Sequence, residues 1–150
     1  MLRLSKKTIL ALEAVVDIAL NARAEPVQSK EITQRQGIPQ RYLEQVMQHL
    51  VHAEILKGVR GPRGGYRLAR ERRRISAGDV VRVVAQIESN EEQGIAPASQ
   101  LGEKVVRPLV EKFHGKLMAE LDRISIEDLC EEAERQGLGL KDKTKMDFTI

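Results

Sequence analysis

The stretch GVRGPRGGYRLAR, residues 58–70, constrains the fold more than any other part of this chain. It holds four glycines, one proline and four arginines between segments with helical patterns. The run 55–60 alternates like a strand, residues 61–65 are turn formers, and residues 66–69 resume strand character. The pattern predicts one β-hairpin with a basic tip. We expect it to be basic because it meets phosphates, and glycine-rich because its backbone must approach them closely.

Helical patterns surround this hairpin. Ser5 is predicted to cap a first helix extending to about Ala22, and Ser29 to cap a short helix over 30–36 that ends at Gly37. A third helix is predicted from Pro39 to about Glu54 and a fourth over Ala77 to about Ile87. A fifth is predicted from about residue 100 to Asp122, and in it Pro108 should mark a kink or the true start. A sixth is predicted from Ser125 to about Gln136.

These elements predict a mainly α fold with a small β-hairpin, a winged helix-turn-helix followed by a long dimerisation helix. The expected organisation is a DNA-binding domain over 1–87, a loop over 88–99, dimerisation helices over 100–136 and a flexible C-terminal tail over 137–150. The loop is assigned because that segment is acidic, holds a glycine and a proline, and has no apolar period.

Charge is distributed unevenly along the chain. Lys and Arg outnumber Asp and Glu by 15 to 7 in residues 1–75 (+8) and are outnumbered 10 to 15 in residues 76–150 (−5), which sums to the net charge of +3. A basic half indicates a surface for a polyanion. Helix-turn-helix shapes also occur in protein-binding domains, and arginine-rich turns are often only solvated. The coincidence of basic charge with this fold element favours nucleic acid.

A cytoplasmic location is expected. One cysteine, Cys130, allows no disulfide within the chain, which suits a reducing compartment. The start MLRLSKK lacks the apolar core of a signal peptide, and Glu13 and Asp17 interrupt the most apolar run, so no membrane association is predicted.

In a helix-turn-helix the second helix enters the major groove, and a basic wing reaches the flanking minor groove. Arg41 and Glu44 are expected to read bases, because Arg pairs with guanine and Glu accepts from cytosine. The predicted DNA contacts are Lys7, Ser29, Lys30, Gln40, Arg41, Tyr42, Glu44, Gln45, Arg60, Arg63 and Arg67.

The fifth predicted helix carries apolar residues spaced close to a coiled-coil seam. This seam, the predicted dimer interface, consists of Val106, Val110, Phe113, Leu117, Leu121 and Ile124.

The motifs QRYLEQ at 40–45 and VRGPxGGYxLAR from Val59, with RLSKK at the start and SxEDL from Ser125, resemble the IscR/NsrR/CymR-type family of winged-helix transcriptional regulators over about residues 2–135. The resemblance implies a homodimer whose long helix crosses its mate and which binds double-stranded DNA at a palindromic operator. It also implies that Arg60 enters the minor groove and that Glu44 discriminates bases. Arg63 stands where the family usually has glycine.

Many members of that family bind an iron–sulfur cluster through three cysteines between the fourth and fifth helices. This chain has no cysteine there, and Cys130 alone cannot hold a cluster. The spacing of His49, His52 and His114 is not a metal signature. We therefore expect no metal and no cofactor, which places the chain in a cluster-free branch resembling the repressors of cysteine metabolism.

In that branch, the resemblance implies a complex with O-acetylserine sulfhydrylase. The residues Asp147, Phe148, Thr149 and Ile150 resemble the Asp-Tyr-Val-Ile ending of serine acetyltransferase, which docks in the sulfhydrylase active site. A carboxylate held by backbone donors and an isoleucine in an apolar pocket would suit such docking. The tail then predicts a partner enzyme; the alternative is a disordered tail that happens to end on isoleucine.

Two other functions stay open from the sequence. One is a DNA-binding regulator that senses redox state through Cys130, although the acidic run 127–134 should raise the pKa of that thiol. The other is a regulator of an enzyme through the tail. An enzyme is not predicted, because no nucleophile–base pair, phosphate loop or metal set is evident.

Overall fold

The computed structural model describes residues 4–91 and 99–139, which fold into a mostly helical structure with one antiparallel hairpin, as predicted. Its elements are α1 Lys6–Asn21, α2 Ser29–Gln36, α3 Gln40–His52, β1 Leu56–Val59, β2 Gly65–Leu68, α4 Ala77–Glu91, α5 Arg107–Asp122 and α6 Ile126–Arg135, with a 3₁₀ turn at Arg72–Arg74 and a π turn at Gly102–Val106. No helix in these two ranges is long and apolar enough to cross a bilayer.

The core is aliphatic and centres on α1. Ala11, Ala14, Val15 and Ile18 of this helix are fully buried, and α1 packs against α2, α3, α4, α6 and β2. α6 belongs to the same core, since Ile126 and Cys130 are also fully buried in it. The buried cluster therefore contains residues from both of the predicted regions, 1–87 and 100–136.

The turn between α2 and α3 forms the helix-turn-helix corner. Gly37 adopts a left-handed conformation (φ 68°) and its N–H bonds the carbonyl of Thr33, which ends α2 as predicted. Ser29, predicted as the cap of α2, is its first helical residue instead. The capping position is Gln28, which has extended backbone, and its N–H donates to the Glu31 carboxylate at 3.0 Å.

An ion pair between a buried carboxylate and a partly exposed arginine fixes α1 against α2. Asp17 is 1% exposed, and its carboxylate accepts Nε and Nη2 of Arg35 at 2.9 and 2.8 Å and Nε2 of Gln36 at 2.8 Å. A buried carboxylate is stable only when its oxygens are paired in this way. Asp17 therefore sets the position of the helix that precedes α3.

Two of the hairpin glycines are required by packing within the protein. A Cβ at Gly64 would lie 2.2 Å from the carbonyl oxygen of Val59, and one at Gly65 would lie 2.5 Å from that of Val27. Val27 pairs with Tyr66 through two backbone hydrogen bonds, so the loop before α2 runs beside β2. Packing within the protein is therefore by itself a sufficient reason for glycine at these two positions, and close approach to DNA stays a prediction for the hairpin.

Some predicted boundaries shift. α3 ends at His52, and Glu54 has a left-handed φ of 62° in the turn to β1. Glu88–Glu91, predicted as loop, continue α4, while residues 92–98 of that predicted loop lie outside the described residues.

Pro108 lies in the first turn of α5, so of its two predicted effects the structure agrees with a helix start. Pro108 has no N–H to donate, and a π turn lies just before it, closed by the bond from the Arg107 N–H to the Gly102 carbonyl.

Candidate nucleic-acid interface

α3 separates a buried face from a solvent face. Its core side is formed by Leu43, Val46, Met47 and Leu50, which are at most 4% exposed. This periodicity leaves the first turns free to present polar groups to solvent. The exposed residues there are Gln40, Arg41, Tyr42, Glu44 and Gln45.

The polar residues of this face differ in whether other side chains of the protein already bind them. Gln40 Nε2 donates to the Glu44 carboxylate at 3.1 Å, so these two predicted contacts are bonded to each other. Arg41 has no ion-pair or hydrogen-bond partner within residues 4–91 and 99–139, which leaves its planar set of donors available to a ligand.

The hairpin carries its charge at the tip. β1 and β2 pair with Leu56 opposite Leu68 and Val59 opposite Gly65, which leaves residues 60–64 as the turn. Arg60 is exposed and, in the part of the chain that the structure describes, unpaired. Arg63 is 86% exposed and lies 3.6 Å from the Glu25 carboxylate, an ion pair weakened by solvent.

Arg67 is held by the protein itself. Its Nη1 and Nη2 each donate at 2.7 Å, to the carbonyl oxygens of Arg23 and Ala24 respectively. The guanidinium thus stabilises the loop before α2 beside the hairpin, and fewer of its donors remain for the phosphate contact predicted from the sequence.

The other predicted contacts surround α3. Ser29 is half-buried and Lys30 exposed at the start of α2. Lys7 is bound to the Glu91 carboxylate at 2.7 Å, and its ammonium lies 5.6 Å from the centre of the Tyr42 ring. Sequence reasoning missed Glu91, since it placed that residue in a loop. It also missed the role of Asp17, whose signal was a carboxylate inside an apolar run.

Comparison with known proteins decides the family. A model described as "Rrf2: Iron-dependent Transcriptional regulator" matches residues 4–132. The chain belongs to the Rrf2 family.

Individual Rrf2 relatives agree with this placement. The chain is 41% identical over 83 residues to the HTH-type transcriptional regulator IscR of Escherichia coli, a match covering 55% of this chain and 51% of the relative, so it spans about half the length of the curated relatives it matches. The structure of T. potens IscR is 34% identical, with 90% of each chain covered and a TM-score of 0.70. That of B. subtilis CymR is 30% identical, covering 88% of this chain and 98% of that one, with a TM-score of 0.68. These named relatives are regulators and not enzymes.

The iron in the family description does not fit the donors of this chain. Its one cysteine, Cys130, is 0% exposed within the core. Within residues 4–91 and 99–139, no three His, Cys, Asp or Glu side chains are grouped as metal ligands. The segment 92–98 lies outside the described residues, but its sequence supplies no thiol. An iron–sulfur cluster needs several thiolates or substitutes, which these residues do not provide.

Burial also makes Cys130 a poor redox sensor. It raises the pKa of the thiol to about 11, and the nearby Arg72 opposes this only in part. The direction expected from the acidic run 127–134 is confirmed, but burial is the main cause and Glu127 and Glu134 contribute less. Because the thiolate is the reactive form, the raised pKa and the burial of Cys130 both slow its reactions near neutral pH.

We expect iodoacetamide to alkylate Cys130 far more slowly in native protein than in denaturant. The pKa rises from 9.0 to about 11, so about a hundredfold less thiolate is present on that ground alone, and access is blocked as well. Timed alkylation followed by mass spectrometry measures both rates. Equal native and denatured rates would contradict this structure of the core and restore the redox alternative.

α5 and the residues on either side of it expose most of the predicted seam. Val106, Val110, Phe113 and Leu117 are 45–60% exposed, whereas Leu121 is half-buried and Ile124 is 37% exposed. Three further exposed apolar residues are not part of the predicted seam: Leu109 on α5, Val105 in the π turn and Leu101 just before that turn. Met118 is the one buried residue of α5. Such a row of solvent-exposed apolar side chains marks an interaction surface.

The carboxyl end of α5 is anchored to its own domain. The N–H of Ala77 donates to the carbonyl of Ile124 at 2.7 Å, and Arg82 bonds the Asp122 carboxylate. Gly78 allows this contact, since a Cβ there would collide with Asp122. The amino-terminal part of α5 is therefore the part left free to meet another molecule.

Proposed function

We propose that this chain is a sequence-specific DNA-binding transcriptional repressor that acts as a homodimer on a palindromic operator. The observation that carries the proposal is the pair of exposed arginines, Arg41 on the first turn of α3 and Arg60 at the hairpin tip. Neither has a partner within the described ranges. In a winged helix-turn-helix these are the positions that meet the major groove and a flanking minor groove.

Duplex selection tests this function. We expect the wild-type protein to enrich a palindromic sequence from a random pool of double-stranded DNA, and its affinity to fall steeply with salt as phosphate-bound counterions are released. Selection should be performed with reductant and without added metal, since the donors do not fit a cluster. Failure to enrich any sequence, with salt-independent binding, would remove the proposal.

The dimer is proposed to form through the exposed face of α5. Because the carboxyl end of α5 is anchored, its amino-terminal half extends towards the second protomer. A groove of about 650 Å³ between α1 and α6 offers the partner helix an apolar surface that includes Leu12, Val16 and Leu129. In a twofold dimer each helix would cover the same surface of its mate. Half-sites read by two α3 helices then require a palindrome.

We further propose that the regulated genes serve sulfur or cysteine metabolism in the cytoplasm. The support is the similarity to B. subtilis CymR, described as the global cysteine regulator, together with a donor set that does not fit a cluster. The proposed partner is O-acetylserine sulfhydrylase, bound by Asp147, Phe148, Thr149 and Ile150, which lie outside the described residues. This support comes from the family and from four residues of sequence.

Removing residues 148–150 is expected to abolish capture of O-acetylserine sulfhydrylase while leaving DNA binding by the regulator alone within about twofold, because the DNA contacts proposed above all lie in residues 7–67. Binding to purified sulfhydrylase is measured with intact and shortened protein. The variant Lys145→Ala serves as a control that keeps the final residues. If the intact protein does not bind the enzyme, the partner assignment is wrong while the DNA-binding proposal stands.

A further inference from the structure

Side chains from three helices meet beside the amino-terminal end of α3. The Lys7 ammonium on α1 donates to both carboxylate oxygens of Glu91, at 2.7 and 3.0 Å, and lies 5.6 Å from the centre of the Tyr42 ring. Glu91 is the last residue of α4, and Tyr42 lies in the first turn of α3. An acidic group is therefore bound next to the surface that DNA is proposed to approach.

The contact lies where a ligand can reach it. The side chains of Lys7 and Glu91 are 21% and 49% exposed. Tyr42, against which the lysine rests, is 46% exposed and lies next to the proposed base-reading Arg41. A duplex that places bases against Arg41 brings its phosphates close to this lysine. A carboxylate and a phosphate both accept hydrogen bonds through anionic oxygens. The N–H groups of Lys7 that donate to Glu91 therefore cannot donate to a phosphate at the same time.

We propose that Glu91 is an internal competitor of DNA: its carboxylate holds Lys7 in the free protein, and Lys7 exchanges it for a backbone phosphate on binding. The inference rests on the proposed function. The exchange costs little, because ion pairs at solvent-exposed sites are weak. Glu91 then lowers affinity twice, by occupying the lysine beforehand and by repelling the phosphate that replaces it.

Replacing Glu91 by glutamine should tighten binding to the duplex selected by the wild-type protein about two- to fivefold, the range that exposed ion pairs allow. The matched control is Glu88→Gln, one turn earlier on α4, which removes the same charge near Lys7 but breaks no bond to it. Fluorescence anisotropy at fixed salt measures both. Glu91→Gln that binds no tighter than Glu88→Gln would overturn the inference.

A second set of measurements tests whether the tighter DNA binding of Glu91→Gln depends on Lys7. Lys7→Met should weaken binding and reduce the slope of log K against log salt by about 0.9, the value for one lost phosphate contact. In the Lys7→Met protein, Glu91→Gln should tighten DNA binding no more than Glu88→Gln does. An unchanged slope, or a gain that persists without Lys7, would overturn the proposal.

The DNA-binding surface and the competitor role of Glu91 can be tested separately. If Arg41→Ala leaves affinity unchanged, the DNA-binding surface itself is misplaced. If Arg41→Ala is strongly impaired while Glu91→Gln matches Glu88→Gln, only the competitor role is wrong. Thermal melting by circular dichroism checks that each variant is folded. None of the four replaced side chains, Lys7, Arg41, Glu88 and Glu91, belongs to the buried core, which favours that outcome.

Discussion

Arg41→Ala and Arg60→Ala should each weaken binding to the selected duplex by roughly ten- to a hundredfold, and together by the product if the two contacts are independent. A bidentate arginine–guanine contact is worth about 1–3 kcal/mol of discrimination, and Arg60 adds a contact where the minor-groove potential is most negative. Both side chains are exposed and lie outside the core, so the loss should appear in affinity and not in stability.

The two variants should differ in how they change sequence preference. Loss of Arg41 should relax sequence preference at one position of each half-site, whereas loss of Arg60 should weaken binding more evenly. Arg123→Ala, just after α5, is the control, because it removes one exposed positive charge that is not among the proposed DNA contacts. Anisotropy titrations at two salt concentrations measure each variant. Unchanged affinity in both arginine variants, with Arg123→Ala equal to them, would refute the DNA-binding surface.

Phe113→Glu should convert the protein from dimer to monomer at micromolar concentration, with a dimer dissociation constant raised at least about a hundredfold. The substitution removes an aromatic side chain whose burial is worth about 1.5–3 kcal/mol per protomer and leaves a charge in the apolar contact. Phe113 is 56% exposed in the single chain and contributes nothing to the buried core, so each protomer should remain folded. Analytical ultracentrifugation measures the association.

Gly115→Glu is the control for this substitution. Gly115 is exposed on α5, lies about half a turn from both Phe113 and Leu117, and a Cβ there would meet no atom within 4 Å. It should leave the dimer intact. A Phe113→Glu protein that remains dimeric would show that α5 is not the interface. A monomeric Phe113→Glu protein should also lose much of its operator affinity, since two half-sites can then no longer be bound by one particle.

The sequence alone predicted the elements that have strong local signals. The glycine at position 37, the glycine- and arginine-rich stretch 58–70 and the Ser-x-x-Asp starts of α4 and α6 each fix their element through a hydrogen bond or a turn that neighbouring residues can make. The exposed first turns of α3 follow from its apolar period in the same way. For these features a window of a few residues carries the physical cause.

The functional detail depends on residues far apart in the chain, and only the tertiary structure decided it. Arg67 is held by carbonyls more than forty positions earlier, Lys7 is bound by a glutamate 84 positions later, and Cys130 is buried against helices from the other end of the chain. The local sequence pattern indicates neither the burial of a side chain nor its distant bonding partners. Burial and partners together determine which side chains are available to bind a ligand. The sequence determined that this is a mainly helical chain with a basic wing. The packing of α1 against α3, α4 and α6 determined which of its charged side chains face outward unpaired. The reason is that long-range contacts satisfy some side chains and leave others to solvent.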